Sequence, residues 1–269
     1  MSELESLPSP PAAVLALNEA ASDPDVPVES ITRVIESDPA MTAKLLQLVN
    51  SAFFGLTHRV TNVQRAVAYL GMGTVRNVLA AVEMMRALPA ATPDMAVIVE
   101  QLQAHSIAVG ELSRNLLRHR RQAHDAFAAG IMHDIGLLAA VSCMPAKYEL
   151  LRLEVGGGTP LIECEAEILG APHASIGAHL LDVWGLPANL VSAVRHSHDA
   201  DRLVDRNLGP LQAVYIAEQV TNLVGASGGW VLEEGLMPDH EYLAELGLDG
   251  IVTQVMARAG VDHLRRVVN

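Results

Sequence analysis

The sequence predicts an all-α protein arranged as a two-lobed helical bundle, and three observations support this fold class. Apolar residues recur at intervals of three and four along almost every segment, as they do on the buried face of a helix. Alternating apolar and polar runs of strand length are absent from the sequence. The chain is 50% hydrophobic but only 3% aromatic, so Ala, Leu and Val must fill the core, which favours close contact between helices.

The first lobe is predicted to cover residues 1–90. The third of its helices begins at Asp38–Pro39, where an N-cap residue is followed by proline at the first helical position. Two prolines in the run LPAATPD, residues 88–94, interrupt the helical pattern and mark the end of the lobe. The predicted helices are residues 10–21, 28–36, 39–50, 63–70 and 74–87.

The second lobe is predicted to cover residues 91–224, and a long helix over about residues 94–119 opens it. The next helix is expected to hold an imidazole and a carboxylate side by side in its apolar interior, in the run AGIMHDIGLLAA. Prolines then favour helix starts at Pro172 and near Pro187. A C-terminal helical extension, residues 225–269, closes the chain.

The composition excludes several classes of function. A formal charge of −13, from 18 basic and 31 acidic residues, repels nucleic acid and anionic lipid. The two cysteines, Cys143 and Cys164, form no disulfide or metal-binding pattern. The acidic, proline-rich start is unlike a signal peptide, and the longest uncharged stretch, Gln219 to Leu232, is too short to span a bilayer. We therefore expect a cytoplasmic protein that neither enters the membrane nor binds nucleic acid.

Several histidines and carboxylates lie on the faces of helices that are predicted to be buried. His105 continues a stripe with Leu102 and Val109, and Asp134 shares a stripe with Leu138. The other residues with this habit are His133 on a face of small residues, His173 at a helix start, His198 at a helix end and Glu218 on a C-terminal helix.

These side chains have two interpretations. A bundle core can collect nitrogen and oxygen ligands from several helices around one metal ion. Alternatively, each histidine is a hydrogen-bonded core residue with no ligand role. The remaining histidines have no such context and are interpreted as surface or incidental residues: His58, His119, His124, His179 and His240.

Several blocks in one order resemble the HDOD family, the HD-related output domains of bacterial signalling, over about residues 4–224. In the first lobe they are LPSPPAAVLALNEAASDP, IESDPAMTAKLLQLVNSAFFG and VQRAVAYLGMGTVRNVLA. In the second lobe they are AHSIAVGELS, AGIMHDIGLL, EAEILGAPHASIGAHLLDVWGLP and AVRHSHD. The resemblance implies that the second lobe is a degenerate HD phosphohydrolase fold.

The resemblance also implies a site for a divalent metal, iron or manganese. His105, His133, Asp134 and His173 match positions that hold metal in the HD and HD-GYP phosphohydrolases. The paired histidines of those enzymes fall on Ser197 and His198, and their closing aspartate falls on Glu218. The serine, the longer carboxylate and the missing Gly-Tyr-Pro signature leave metal binding open and argue against hydrolysis.

Four residues after the third helix form a second group of interest. Asn50 and Ser51 have side chains that can cap exposed backbone groups, with contact to a ligand as the alternative. Phe53 and Phe54 are expected to pack between the lobes, with partner binding as the alternative.

Two functions of different classes follow from the sequence. The first is a non-enzymatic signal-transduction module that binds other signalling proteins, in an oligomeric state that the sequence leaves open. The second is a metal-dependent phosphohydrolase that acts on a nucleotide or a cyclic dinucleotide. The substitution at Ser197 and the acidic total charge favour the first.

Overall fold

The computed structural model of the protein describes residues 10–20, 27–50, 59–203, 205–224, 239–248 and 250–253. Regular structure in these residues is entirely helical, so the predicted all-α class is confirmed. The first five helices are α1 (Ala12–Ala20), α2 (Val28–Glu36), α3 (Pro39–Val49), α4 (Val63–Leu70) and α5 (Met72–Ala87).

The second part of the chain continues the helical pattern. A single 3-10 turn, Ala200–Arg202, separates the twelfth helix from the thirteenth. The helices are α6 (Pro93–Asn115), α7 (Arg120–Met132), α8 (Ile135–Cys143), α9 (Pro145–Gly156), α10 (Leu161–Ile168), α11 (His173–Val183), α12 (Ala188–Arg195), α13 (Pro210–Val224) and α14 (His240–Glu245).

Side-chain caps begin two of the early helices where the sequence places polar residues. The Asp38 carboxylate accepts a hydrogen bond from the backbone N–H of Met41 at 3.1 Å, at the predicted start of α3. The Asn62 side chain accepts one from the N–H of Arg65 at 2.8 Å and starts α4. Such caps satisfy N–H groups that have no partner within the helix.

Helix α5 belongs to both halves of the molecule. Its residues Val75 and Leu79 pack into a first-lobe core with Ile31 and Leu45. Its other faces, including Met84, pack into the large core of the second lobe. The two lobes therefore share a buried helix, and the boundary at residue 90 stays a prediction.

His133 and Asp134 do not lie inside one helix, contrary to the sequence prediction. They form the turn between α7 and α8, and Asp134 has φ −97° and ψ 16°, outside the helical region. His133 keeps helical backbone angles, so the break lies at Asp134. The periodicity continues across the break because both helices bury apolar residues, so the sequence pattern conceals it.

Glycines let the helices that carry the cluster approach one another closely. A Cβ on Gly130 in α7 would lie 2.6 Å from the Cα of Gly110 in α6. A Cβ on Gly136 in α8 would collide with the backbone carbonyl oxygen of His173 at the start of α11. These crossings admit no larger residue without movement of the backbone, and they lie next to His133 and Asp134.

The stretch Arg121–Cys143, which joins α7 and α8, is apolar and long enough to cross a membrane by length and composition. However, 89% of its apolar window is buried inside the fold. A buried core helix can have the same length and composition as a membrane-spanning helix. Here the burial shows that other parts of the protein already cover the apolar surface of this stretch.

The chain after α13 folds back onto that helix. The rings of Tyr215 and Tyr242 meet edge to face with centroids 5.8 Å apart, and the Arg206 guanidinium lies 5.0 Å from the centre of the Tyr242 ring. Leu243 is buried in the same cluster. Helix α14 thus supports one face of α13, whose other face contributes to the cluster described next.

Candidate metal centre

Six side chains from separate elements of the second lobe converge at the centre of the molecule. Five of them are exposed by only 0–4% of their surface, and His198 is partly buried. They are His105 on α6, His133 and Asp134 in the turn after α7, His173 at the start of α11, His198 after α12 and Glu218 on α13.

The first half of this metal cluster joins two imidazoles to one carboxylate. The Nε2 atoms of His105 and His133 each lie 2.9 Å from Oε2 of Glu218. The ligand atoms of these three residues all lie within 4.8 Å of one another, close enough to share one metal ion.

The second half of the metal cluster is centred on Asp134. Its Oδ1 lies 3.3 Å from Nε2 of His173, and that Nε2 lies 2.8 Å from Nε2 of His198. Oδ1 is also 3.2 Å from Nε2 of His133, while Oδ2 is 3.6 Å from Nε2 of His105. The aspartate therefore connects the two halves.

Residues outside the metal cluster orient its members. Nδ1 of His133 donates to the backbone carbonyl of Gly130 at 2.7 Å, since a carbonyl can only accept. Nδ1 of His173 lies 2.6 Å from the Glu165 carboxylate, which also accepts from the backbone N–H of His173 at 3.0 Å. Hydrogen bonds of this kind at Nδ1 leave Nε2 facing inward, as in metal-binding histidines.

Burial and the opposite charges compete in setting the protonation of the cluster. Burial disfavours the charged imidazole of His133, but the Asp134 and Glu218 carboxylates outweigh it and raise its pKa to about 10. The pKa of His173 is raised well above its ordinary value, against its burial, chiefly by Glu165 and Asp134. Conversely, the imidazoles hold the pKa values of Asp134 and Glu218 well below their ordinary range despite burial.

The donor set fits a divalent cation. With Nδ1 protonated, neutral His133 presents a lone pair at Nε2 to two carboxylates, and this buried atom makes no aligned hydrogen bond. Nε2 of His173 and Nε2 of His198 lie 2.8 Å apart, where one imidazole donates to the other. A cation at Nε2 of His133 would balance the two carboxylates in place of the proton that the raised pKa of His133 implies. Mixed imidazole and carboxylate ligands suit transition metals such as iron and manganese.

Two neighbours of His198 stay outside the metal cluster. Ser197 is fully buried, and its hydroxyl donates to the backbone carbonyl of Val194 at 2.9 Å. His196 pairs with the carboxylate of Asp199 at 2.8 Å, away from the cluster residues. Neither residue replaces the imidazole that the HD pattern has at the position of Ser197.

Two residues were misjudged from the sequence. Glu165 was not singled out, although it is fully buried and holds His173; a carboxylate eight residues before a predicted ligand, in EAEILGAPH, was the available signal. His124, interpreted as surface or incidental, is not on the surface: it is only 8% exposed and its Nδ1 lies 3.1 Å from Oγ1 of Thr74. That contact joins α7 to α5, which no local pattern reveals.

The other predicted surface histidines divide into two groups. His119 and His179 are exposed as expected. His58, and the side chain of His240, lie outside the described part of the structure.

The residues after α3 are described only at Asn50. Its amide nitrogen donates to the carbonyls of Leu46 and Val60, both at 2.7 Å, and its oxygen accepts from the N–H of Val60 at 2.6 Å. Asn50 thus ties the end of α3 to the approach to α4. Ser51, Phe53 and Phe54 lie outside the described residues.

Solved structures share this fold. An HDOD domain protein of Geobacter sulfurreducens superposes with a TM-score of 0.73 at 20% identity, covering 97% of this chain and 92% of that one. A protein of Shewanella amazonensis SB2B, named provisionally as a phosphohydrolase, gives 0.69 at 24% identity, covering 96% and 87%. A protein of Marinobacter aquaeolei VT8, named provisionally as a signal transduction protein, gives 0.71 at 25% identity, covering 95% and 57%.

Sequence comparison points the same way. An uncharacterised protein of Treponema pallidum (strain Nichols) is 26% identical over 200 residues. The match takes in 73% of this chain but only 38% of that protein, so the chain spans well under half of its relative's length. The profile of the HDOD domain matches residues 7–200, which is most of the chain. The chain therefore belongs to the HDOD domain family.

Proposed function

We propose that this protein is a non-enzymatic signal-transduction module whose metal cluster is structural. The observation that carries the proposal is burial: His105, His133 and Glu218 are exposed by 3% or less. A hydrolytic metal needs an open position for water and room for the substrate phosphate. Side chains packed to this degree favour a closed metal centre instead.

The lining of one cleft is consistent with the same proposal. A cleft of about 430 Å³ lies at the junction of α5, α7 and α12, and no cluster residue lines it. Ser197, whose hydroxyl is bonded to Val194, supplies no further ligand.

The metal itself would be held by His105, His133, Asp134, His173, His198 and Glu218. A bound divalent ion supplies Lewis acidity and lowers the pKa of a coordinated water. The residues of this chain supply the neutral imidazoles, the carboxylates, and the Gly130 carbonyl and Glu165 carboxylate that orient two of the imidazoles by accepting hydrogen bonds from Nδ1. In a structural role, the ion would link five separate elements of the second lobe.

The proposed mode of action is binding to other signalling proteins in the cytoplasm. The provisional name of the Marinobacter relative, a signal transduction protein, supports the signalling role. The net charge of −13 disfavours nucleic acid and anionic membranes as partners.

Hydrolysis is the second candidate because His105, His133, Asp134 and His173 occupy the metal positions that the HD resemblance implies, and His198 and Glu218 lie beside them in the metal cluster. The provisional names of the Shewanella relatives, a phosphohydrolase and a metal-dependent phosphohydrolase, also favour it. The two candidates agree on the metal and differ on turnover.

The deciding experiment measures metal content and activity on the same preparation. Protein purified without an affinity tag or chelator is analysed for bound metals, then loaded with Mn²⁺ or Fe²⁺ and offered nucleotides, cyclic dinucleotides and an aryl phosphodiester. We expect bound metal and no turnover. Turnover that disappears in both His133→Ala and Asp134→Ala, while both variants remain folded, would establish the hydrolase instead.

A further inference from the structure

A second polar site lies between the two lobes. The cleft of about 430 Å³ is bounded by the α4–α5 junction, the first turns of α7 and the start of α12. Its volume lies within the range of small-molecule sites. It shares no residue with the metal cluster, and its charged lining comes from Arg76, Arg121 and Asp125.

Asp125 is the anionic neighbour of the two arginines in this interlobe cleft, but neither arginine forms a close ion pair within the described residues. Arg76 is half-buried, and its Nε and Nη2 donate to the neutral amide oxygen of Asn77 at 3.2 and 3.1 Å. Within the described ranges of the chain, no carboxylate lies within ion-pair distance of Arg76 or Arg121. Burial lowers the pKa of Arg76, and the Asp125 carboxylate opposes this shift.

The carboxylate of Asp125 accepts hydrogen bonds from two neutral amides that also line the cleft. One oxygen accepts from the Asn77 amide at 3.2 Å and the other from the Asn189 amide at 3.4 Å. Two neutral amides therefore hold this carboxylate, while two guanidinium groups in the same cleft remain without an ion pair. An anion in the cleft would complete the charge balance that Asp125 leaves open.

The backbone of α5 adds donors beside these arginines. The helix starts at Gly71, which has φ +83° and provides no side-chain cap, so its first N–H groups are unsatisfied within the helix. A Cβ added at Gly73 would meet no atom within 4 Å, so the first turn is open to the cleft. Unsatisfied N–H groups at a helix start favour anions.

We propose that the interlobe cleft binds a small phosphorylated ligand of about nucleotide size. Arg76 and Arg121 form charge-assisted hydrogen bonds to the phosphate, and the first turn of α5 contributes backbone N–H groups. Asn189 and Asp125 offer polar contacts to the rest of the ligand. The proposal does not depend on metal binding or on hydrolysis at the metal cluster.

Calorimetric titration of the full chain with inorganic phosphate and with AMP, at constant ionic strength set by chloride, tests the proposal. We expect both to bind, AMP more tightly. Arg121→Gln should weaken binding by about tenfold, which is the loss of one charge-assisted contact. Arg118→Gln is the matched control, because Arg118 is exposed near the same end of α7 but does not line the cleft.

Substitutions at Gly73 separate binding from folding. Gly73→Asp places a carboxylate in the cleft but also at a helix N-terminus, where acidic residues stabilise helices. It should keep or raise the thermal midpoint and weaken AMP binding by at least about tenfold. Gly73→Ala adds only a methyl group into open space and should retain binding within about threefold.

Three results would overturn the proposal. One is the absence of binding of either probe up to about 10 mM, where even weak sites fill. Another is binding that Arg121→Gln and Gly73→Asp leave unchanged. The third is binding that is lost in His133→Ala but kept in the cleft variants, since this would place the phosphate at the metal cluster.

Discussion

Single side chains outside the metal cluster decide how its imidazoles are presented. Glu165 accepts hydrogen bonds from both the ring and the backbone N–H of His173. A fully buried carboxylate with these two bonds has a positioning role.

Glu165→Gln tests this role. The amide keeps the size of the side chain but weakens the bond to Nδ1 of His173, so we expect metal affinity to fall by about 10- to 100-fold. Competition with a calibrated chelator measures the change. Glu167→Gln, an exposed residue on the same helix, should leave the affinity unaltered. Equal changes of metal affinity in the two variants would contradict a positioning role for Glu165.

Protonation of the metal cluster predicts a pH dependence for the metal-free protein. The pKa of His133 is about 10 in the folded state against an ordinary value of 6.5. Its contribution to stability is therefore complete below about pH 6.5 and is lost as the pH rises through about 10. The carboxylates act in the opposite sense: the pKa values of Asp134 and Glu218 are lowered, so their contribution is lost on acidification.

The expected result is a thermal midpoint of the metal-free protein that declines between pH 7 and pH 10. His133→Gln, which cannot be protonated, should flatten this decline. A midpoint of the unsubstituted protein that rises over the same range would contradict the assigned charge of His133.

Two helix crossings next to the metal cluster are close because glycine, which has no side chain, lies at the point of contact. Gly136 in α8 lies against the carbonyl oxygen of His173, and Gly130 in α7 lies against Gly110 in α6. Both crossings hold a ligand-bearing turn in place, so their effect extends from packing to the metal cluster.

A matched pair of glycine substitutions tests the crossing. Gly136→Ala forces α8 and α11 apart and should lower the free energy of unfolding by about 1–3 kcal/mol or more, the range for overpacked sites. Gly156→Ala, at the end of α9, meets no atom within 4 Å and should be neutral or stabilising by up to about 1 kcal/mol. Denaturant unfolding of both variants measures the difference. Equal stabilities would show that the crossing tolerates a methyl group.

Helix α13 connects α14 to the metal cluster. One side of this helix carries Glu218, and the other packs against Tyr242 and Leu243. We therefore expect that loss of packing between α13 and α14 also disturbs the position of Glu218.

Leu243→Ala should lower the free energy of unfolding by about 2–5 kcal/mol, as for other buried leucines, and should speed metal release to a chelator. Leu153→Ala, at a side chain that is 65% exposed, is the control and should change neither quantity appreciably. A destabilised Leu243→Ala variant that releases metal at the original rate would show that α13 holds Glu218 without support from α14.

Local patterns in the sequence predicted the positions of several helices and the buried faces that carry His105, Asp134 and Glu218, but not the break between α7 and α8. Helical periodicity and caps act within a few residues, so α2 and α4 have the predicted bounds and α3 begins at the predicted Pro39. The ligand set could be assembled only by adding the resemblance to the HDOD family.

Tertiary structure alone decided which of these side chains meet and which residues support them. The turn at His133–Asp134, the contact of Glu165 with His173 and the burial of His124 against Thr74 all depend on how helices distant in sequence pack. A periodic sequence pattern predicts that one face of a helix is buried, but it does not predict which other helix packs against that face. Contacts between elements far apart in the chain therefore shaped the metal cluster and the interlobe cleft.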